Sequence, residues 1–313
     1  MVLYYCDHWE LPLPPGHRFP VTKYKMLRER LAATGLFDLQ PAPLASRADL
    51  VRVHESSYID AFLTGTLSAQ AIRRIGFPWS PGLVQRTLAS AGSTLASSRR
   101  ALVHGWGGGL AGGTHHAFRN EGSGFCVVND IAIAIEALRQ DGAIRRAAVV
   151  DLDVHQGDGT AAIFEADPNV LTISLHGKNN FPFRKQQSKI DVEFADRTGD
   201  DEYLSELSRI LPEVRRFSPD IVFFQSGVDA LATDRLGKLS LTPGGMRRRD
   251  EMVLSLPFPL VVTLGGGYSD PIEATVEAHF ATFISSSALR AASPVSARSD
   301  GDPAPNRTFP HES

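Results

Sequence analysis

Carboxylate and histidine side chains are concentrated at the ends of two apolar runs in this chain. In the segment DLDVH (151–155), Asp151, Asp153 and His155 alternate, so in an extended chain they point the same way. Asp229 follows a later apolar run. Asp153, His155 and Asp229 would supply three ligands and leave a position for water, the arrangement of a catalytic zinc site. Because two ligands are carboxylates, Fe(II), Co(II) or Mn(II) also suits this site.

A second polar cluster supplies groups that can move protons. His115 and His116 are adjacent in the glycine-flanked segment GGTHHAF. Water attacking an amide needs a base, and the leaving amine needs a proton. The carboxylates of Asp151 and Asp158 remain to hold one histidine each and to fix its tautomer. Tyr268, in GGGY, can donate its hydroxyl to a developing oxyanion. These residue types predict metal-assisted hydrolysis of an amide.

Four apolar runs must position these groups. They cover residues 147–153, 170–176, 221–227 and 259–266, and they lack the polar alternation of half-exposed strands. This pattern predicts central parallel strands that are buried on both faces. Because ligands bind beyond the carboxyl ends of such strands, the polar groups that follow each run should meet at one edge of the sheet.

Helical patterns separate the predicted strands. They cover residues 129–140 with an Asn cap, 200–217 with a kink or break at Pro212, and 242–256 with a Thr cap. Alternating strands and helices predict a single-domain α/β fold with a mostly parallel central sheet and helices on both faces. We assign this domain to residues 1–284. Residues 285–313, rich in Ser, Ala, Pro and Arg, are predicted to be a disordered tail.

Composition excludes several classes of protein. The chain has 313 residues and a formal charge of −3, so it has no overall attraction for nucleic acid. No apolar run is long enough to cross a membrane. Its two cysteines, Cys6 and Cys126, cannot form a disulfide framework, which indicates an intracellular, cytoplasmic protein.

Six segments together resemble one known family. In chain order, they are GGTHHAF, GFCVVND, DLDVHQGDGT, TISLHG, SGVDA and GGGY. They resemble the motif set of the histone deacetylases, and they are most similar to the class IV branch and the bacterial histone deacetylase-like proteins. The resemblance covers roughly residues 10–284. It implies the arginase–deacetylase fold and zinc-dependent hydrolysis of an acyl-lysine-type amide.

The resemblance also assigns roles to individual polar residues. It implies that Asp153, His155 and Asp229 bind zinc. His116, paired with Asp158, resembles the general base and acid of the family. His115, paired with Asp151, resembles its electrostatic partner. Tyr268 resembles the residue that polarises the acyl carbonyl.

Further residues resemble the substrate tunnel and a second ion site of the family. Phe125 and Phe181 resemble the aromatic walls around the acyl-lysine stem, with Gly124 and Gly266 beside them and Leu236 at the tunnel rim. The family also holds a potassium ion beneath the zinc. Here its ligands would be the side chains of Asp151 and Ser174 together with backbone oxygens, which include that of Leu175.

Three positions depart from the family pattern. Gly76 stands where many members have an aspartate that clamps the substrate backbone. Leu236 is not acidic, unlike the gatekeeper of polyamine-selective relatives. An arginine beneath the zinc site has no clear counterpart, and Lys23 or Arg18 is the candidate replacement.

Several readings remain open at the level of sequence. The substrate is either an acyl-lysine in a protein or a small acylated amine, and the acyl group is short or long. A non-catalytic acyl-lysine-binding module would use the same tunnel, but such a protein should have lost one of the catalytic residues. An arginase-like site with two manganese ions would need further carboxylate and histidine ligands. Oligomeric state does not follow from the motifs.

Overall fold

The computed structural model describes residues 1–292, and their strands form one eight-stranded sheet. The strand order is β2-β1-β3-β8-β7-β4-β5-β6, and every neighbouring pair is parallel. The predicted α/β class with a parallel sheet is therefore confirmed. The strands are β1 (Val2–Tyr5), β2 (Asp38–Pro41), β3 (Trp106–Gly109), β4 (Ala147–Asp151), β5 (Val170–Gly177), β6 (Ile190–Phe194), β7 (Ile221–Gln225) and β8 (Leu260–Thr263).

Helices connect successive strands, except β5 and β6, which are joined by a loop. The helices are α1 (Thr22–Ala32), α2 (Arg47–Leu50), α3 (Ser56–Thr64), α4 (Ala69–Ile75), α5 (Pro81–His104), α6 (Asp130–Gln140), α7 (Asp158–Phe164), α8 (Asp200–Phe217), α9 (Pro243–Leu254) and α10 (Glu273–Ala292). Asn129 and Thr242 cap α6 and α9 through their side chains, as the sequence predicts. Among residues 1–292, no helix has the length and apolar character needed to cross a membrane.

Alternate residues of the central strands enter two different apolar cores. In β4, Ala148 and Val150 pack into one core, whereas Ala147 and Val149 pack into the other. The neighbouring strand β7 divides in the same way between Val222 and Phe223. Because successive side chains of a strand point to opposite faces, the sheet is covered by helices on both sides.

The structure corrects part of two sequence predictions about helices. Pro212 does not break α8, which continues to Phe217. The buried stripe of α8, which includes Leu207 and Val214, supplies tertiary packing that outweighs the cost of the proline. The predicted tail also begins too early, because residues 285–292 continue α10, where the Ser286 hydroxyl donates to the Thr282 carbonyl. The rest of that predicted tail, residues 293–313, lies outside the described residues.

The buried His54 links two loops behind the site. Its Nδ1 lies 2.8 Å from the Phe118 carbonyl oxygen, and its Nε2 accepts from the Asn129 amide at 2.9 Å. These contacts fix the start of α6. Burial, outweighing the hydrogen bonds to Phe118 and Arg119, lowers the pKa of His54 to about 4. The histidine is therefore neutral in the folded protein at neutral pH.

This burial predicts a pH-dependent part of the stability. The pKa of His54 is about 4 when folded and about 6.5 when unfolded, so its contribution is complete above pH 6.5 and is lost as the pH falls toward 4. Between pH 7 and pH 5 we expect this one group to cost about 2 kcal/mol of unfolding free energy. Urea unfolding at both pH values measures it.

The matched variant for this test is His54→Gln, which keeps an acceptor but does not titrate. It should lose less stability than the wild type on acidification, and His104→Gln, at the exposed end of α5, should behave like the wild type. An identical pH dependence of wild type and His54→Gln would contradict the prediction.

Candidate active site

Three metal-ligating side chains meet at the carboxyl ends of two neighbouring strands. Asp153 and His155 follow β4, and Asp229 follows β7, which pairs with β4. Their ligand atoms all lie within 4.8 Å of one another, and all three residues are buried. His155 Nδ1 is 3.0 Å from an oxygen of Asp153 and 3.0 Å from an oxygen of Asp229. The structure thus brings together the three residues that the sequence singles out as metal ligands.

The donor set fits a divalent cation. Each carboxylate uses one oxygen to accept a backbone N–H, from Gly266 to Asp153 at 2.7 Å and from Val154 to Asp229 at 2.8 Å. The other oxygen of each faces the His155 ring, and that of Asp153 also accepts from the His155 amide at 3.1 Å. Burial and then the charge of Asp153 raise the pKa of Asp229 to about 7, because two carboxylates in a dry site repel each other. A cation shared by one nitrogen and two oxygens removes that repulsion, and zinc accepts this set.

Two histidine–aspartate pairs lie beside the metal ligands. His115 Nδ1 is 2.6 Å from Asp151 Oδ2, and His116 Nδ1 is 2.6 Å from Asp158 Oδ1. The two imidazole rings are adjacent, with centroids 4.1 Å apart. The structure therefore forms both pairs that the sequence analysis expects.

The two histidines have opposite pKa shifts. Burial lowers the pKa of His115, but the charge and hydrogen bond of Asp151 outweigh it and raise the pKa to about 9. Burial and then the charge of His115 lower the pKa of His116 to about 4, against the effect of Asp158. His116 is consequently neutral at neutral pH. With its Nδ1 held by Asp158, it keeps Nε2 available to accept a proton.

Asp130 holds the histidine loop, and sequence reasoning missed this role. Its buried carboxylate accepts from the Gly113 amide at 2.9 Å, the Thr114 amide at 2.7 Å and the Thr114 hydroxyl at 2.6 Å. In the sequence, an aspartate in the first turn of α6 is explained by the helix dipole alone. The available signal was its position between apolar residues in VVNDIAIAI, since a carboxylate buried there needs partners.

Tyr268 is fixed by its backbone beside the metal ligands. Its amide donates to Asp234 Oδ2 at 2.6 Å, and the other oxygen of Asp234 accepts from the amides of Leu236 and Gly237 at 2.8 Å. Burial and then the charge of Asp153 raise the pKa of Tyr268 well above its ordinary value. The phenol therefore stays protonated and can donate a hydrogen bond.

An aromatic-walled cavity of about 510 Å³ leads to this cluster. Phe125, Phe181 and Leu236 line it together with His116, His155 and Tyr268. The Phe181 ring lies edge-on to His116, with centroids 5.0 Å apart. Gly124 has φ +53°, and a Cβ there would be 2.7 Å from the His116 ring, so the turn requires glycine. The substrate-binding residues that the sequence suggests therefore share one cavity, except Gly266, whose amide contacts Asp153.

The region beneath the cluster contains the residues that the sequence suggests for a potassium ion and for the missing arginine. Asp151 and Ser174 are paired neighbours in β4 and β5, and Leu175 follows Ser174; all three are buried. Lys23, not Arg18, lies beneath the site, where its buried Nζ donates to the Gly265 carbonyl at 3.1 Å. Arg18 is exposed at the cavity mouth. Burial lowers the pKa of Lys23 to about 8, against the charges of nearby carboxylates.

Comparison with known proteins gives consistent matches. A family model described as the histone deacetylase domain matches residues 17–283. An uncharacterized protein of Picosynechococcus sp. is 45% identical over 89% of this chain and 95% of its own length. A histone deacetylase-like amidohydrolase of Pseudomonas aeruginosa is 33% identical over 83% of this chain and 74% of its own. An acetylpolyamine aminohydrolase from Burkholderia pseudomallei superimposes with a TM-score of 0.78 at 24% identity, covering 92% of this chain and 99% of that one.

The donor geometry predicts the effect of removing one ligand. Loss of a residue that hydrogen-bonds to a metal ligand weakens metal binding by roughly 10–100-fold. Asp229→Asn should weaken zinc binding by more than this, because it removes a ligand charge that the cation offsets. Competition with a chromogenic chelator measures the affinity. Asp201→Asn, on the exposed first turn of α8, is the control and should bind zinc like the wild type. Equal affinities for both variants would exclude this cluster as the metal site.

Proposed function

The chain belongs to the histone deacetylase family of amide hydrolases, and we propose that it removes the acyl group of an acylated lysine, or a similar amine, with zinc as its metal. The observation that carries this proposal is one buried constellation. It consists of the Asp–His–Asp cluster, two histidine–aspartate pairs and a protonated tyrosine at the inner end of an aromatic-walled cavity.

The protein side chains divide the proton transfers and the charge stabilisation between them. When bound by Asp153, His155 and Asp229, zinc supplies a Lewis acid for the acyl carbonyl and lowers the pKa of water. His116 accepts the proton of the attacking water at Nε2, since Asp158 holds its Nδ1, and later delivers a proton to the leaving amine. Tyr268 donates its hydroxyl to the carbonyl oxygen as negative charge develops there.

His115 acts on charge rather than on the substrate directly. Its raised pKa keeps it protonated beside Asp151, and its positive charge helps to lower the pKa of His116. The two adjacent histidines therefore differ in protonation, since His115 is charged and His116 is neutral. The neutral His116 is thereby the base.

The space beside the cluster supports a short acyl group. A second cavity of about 50 Å³ is lined by Gly112, Gly265 and Tyr24 together with the metal ligands Asp153 and His155. This volume holds a few water molecules, so it suits an acetyl group better than a long chain. Acetylated protein lysines and small acetylated amines both remain candidate substrates.

Two other roles fit less well. A non-catalytic binding module has no need of Tyr268 or of both histidine pairs, and this chain retains all of them. An arginase-like site needs ligands for a second metal ion. Within residues 1–292, Asp153, His155 and Asp229 are the one group of three histidine or carboxylate side chains close enough together to share a metal ion.

We also propose a potassium ion beneath the zinc, bound by Asp151, Ser174 and Leu175. The support is their burial and the register of β4 and β5, which pairs Asp151 with Ser174. A monovalent cation there would offset carboxylate charge in a dry region.

The proposed reaction predicts that the zinc-loaded protein releases acetate from an acetyl-lysine peptide. His116→Ala should lower kcat by about 10²–10⁴-fold because it removes the base. Tyr268→Phe should lower it by about 10²–10³-fold because it removes one donor to the oxyanion. Initial rates with acetyl and decanoyl peptides measure both effects and test the preference for a short acyl group.

His104→Ala and Tyr4→Phe are the matched controls, since both residues lie outside the cavity. They should retain wild-type rates. Activity that survives complete chelation, or that survives His116→Ala, would refute the proposed reaction.

A further inference from the structure

The mouth of the cavity carries one sign of charge. Four exposed cationic side chains line it, and no aspartate or glutamate of residues 1–292 does. Arg73 and Arg74 come from the last turn of α4, and Arg18 and Lys238 come from two loops. Cations from three separate segments of the chain therefore surround one opening.

Most of these charges have no counter-ion within the described part of the chain. Arg74 pairs with Glu121, but Arg18, Arg73 and Lys238 form no ion pair with any residue from 1 to 292. The nearest carboxylate in sequence to Lys238 is Asp234, which is committed to three backbone amides. Three cations therefore face the solvent at the opening with their charge uncompensated.

Gly76 and Leu236, two residues that line the opening, carry no acidic group. A Cβ at Gly76 would lie 3.0 Å from the Phe125 ring, so a longer side chain there would displace the tunnel wall. Leu236 presents an apolar side chain at the same opening. Within residues 1–292, this rim therefore offers no carboxylate to a positively charged substrate.

We propose that this mouth selects acylated amines that carry a carboxylate at the end of the stem remote from the amide. The inference rests on the proposed function, because the stem must enter between Phe125 and Phe181 for its far end to reach the rim. The carboxylate comes either from the α-carboxyl group of a free Nε-acyl-lysine or from acidic residues that flank an acyl-lysine in a peptide. Polycationic acetylated amines are disfavoured by the same charges.

Matched substrates test the charge preference. One arm compares acetyl-lysine peptides flanked by Glu, Gln or Lys, and the other compares free Nε-acetyl-lysine with its methyl ester. We expect kcat/KM to rise about twofold to fivefold for each carboxylate that meets a rim cation, as for exposed ion pairs. The preference should shrink between 20 mM and 500 mM NaCl because salt screens exposed charges.

A charge variant with a matched control assigns the effect to the mouth. Arg73→Gln should reduce the ratio of kcat/KM between Glu-flanked and Gln-flanked peptides. Arg215→Gln removes an exposed arginine from the same position, the last turn of a helix, but on α8, which does not line the cavity. It should leave that ratio unchanged.

The outcomes separate this proposal from the proposed function. Turnover of all peptides at equal rates, or a preference for the Lys-flanked peptide, would overturn the charge preference and leave the hydrolase intact. Fluorescence anisotropy of labelled peptides gives the same comparison as Kd values without turnover. Absence of turnover with tighter binding of the Glu-flanked peptide would reject the hydrolase and support the selective mouth. Equal Kd values would reject the mouth proposal.

Discussion

Two carboxylates forced together in a dry site are the constraint on which the rest of this structure depends. Asp153 and Asp229 reach each other because β4 and β7 are parallel neighbours whose carboxyl ends share one edge of the sheet. The buried Arg249 links the loops that follow these two strands, donating to the Gly227 carbonyl at 2.7 Å and to the Leu152 carbonyl at 3.2 Å. Its own charge is balanced by the buried Asp250. The protein thus fixes the ligands through the backbone of their loops.

Charged side chains also determine the properties of the regions around the metal ligands. Each histidine beside it is held by its own carboxylate, and the two differ in protonation because one lies against more negative charge than the other. At the outer end of the cavity the balance reverses, since uncompensated arginine and lysine side chains replace buried carboxylates. The proposed catalytic residues and the proposed charge-selective residues therefore lie at opposite ends of the same cavity. The interior is built on strand ends, whereas the rim is built on loops and one helix terminus.

Sequence predicts the parts of this arrangement that follow from local pattern and chemical need. The apolar runs identify β4, β5, β7 and β8, and the polar residues that follow them identify the metal ligands. Short strands escape detection, because the WGGG of β3 has little apolar pattern and the DLQP of β2 is mostly polar at an exposed edge. Lys23 is one of the two residues that the sequence suggests beneath the site, but its contact with Gly265 does not follow from local pattern. Its helix has a basic, solvent-like sequence, and its partner Gly265 lies 242 residues away.

The position of β8 in the sheet has a consequence for synthesis. Among the strands of residues 1–292 it is the last to be made, yet it lies between β3 and β7 and is the strand that joins β2-β1-β3 to β7-β4-β5-β6 by hydrogen bonds. Before β8 is synthesised, β3 and β7 lack the strand that pairs with both of them, so half-sheets formed at that stage would each have an open edge of unpaired amides and carbonyls. In the folded protein β8 covers both of these edges, and the glycine loop with Tyr268 follows it directly. The complete sheet and the complete catalytic centre therefore both require this late segment of the chain.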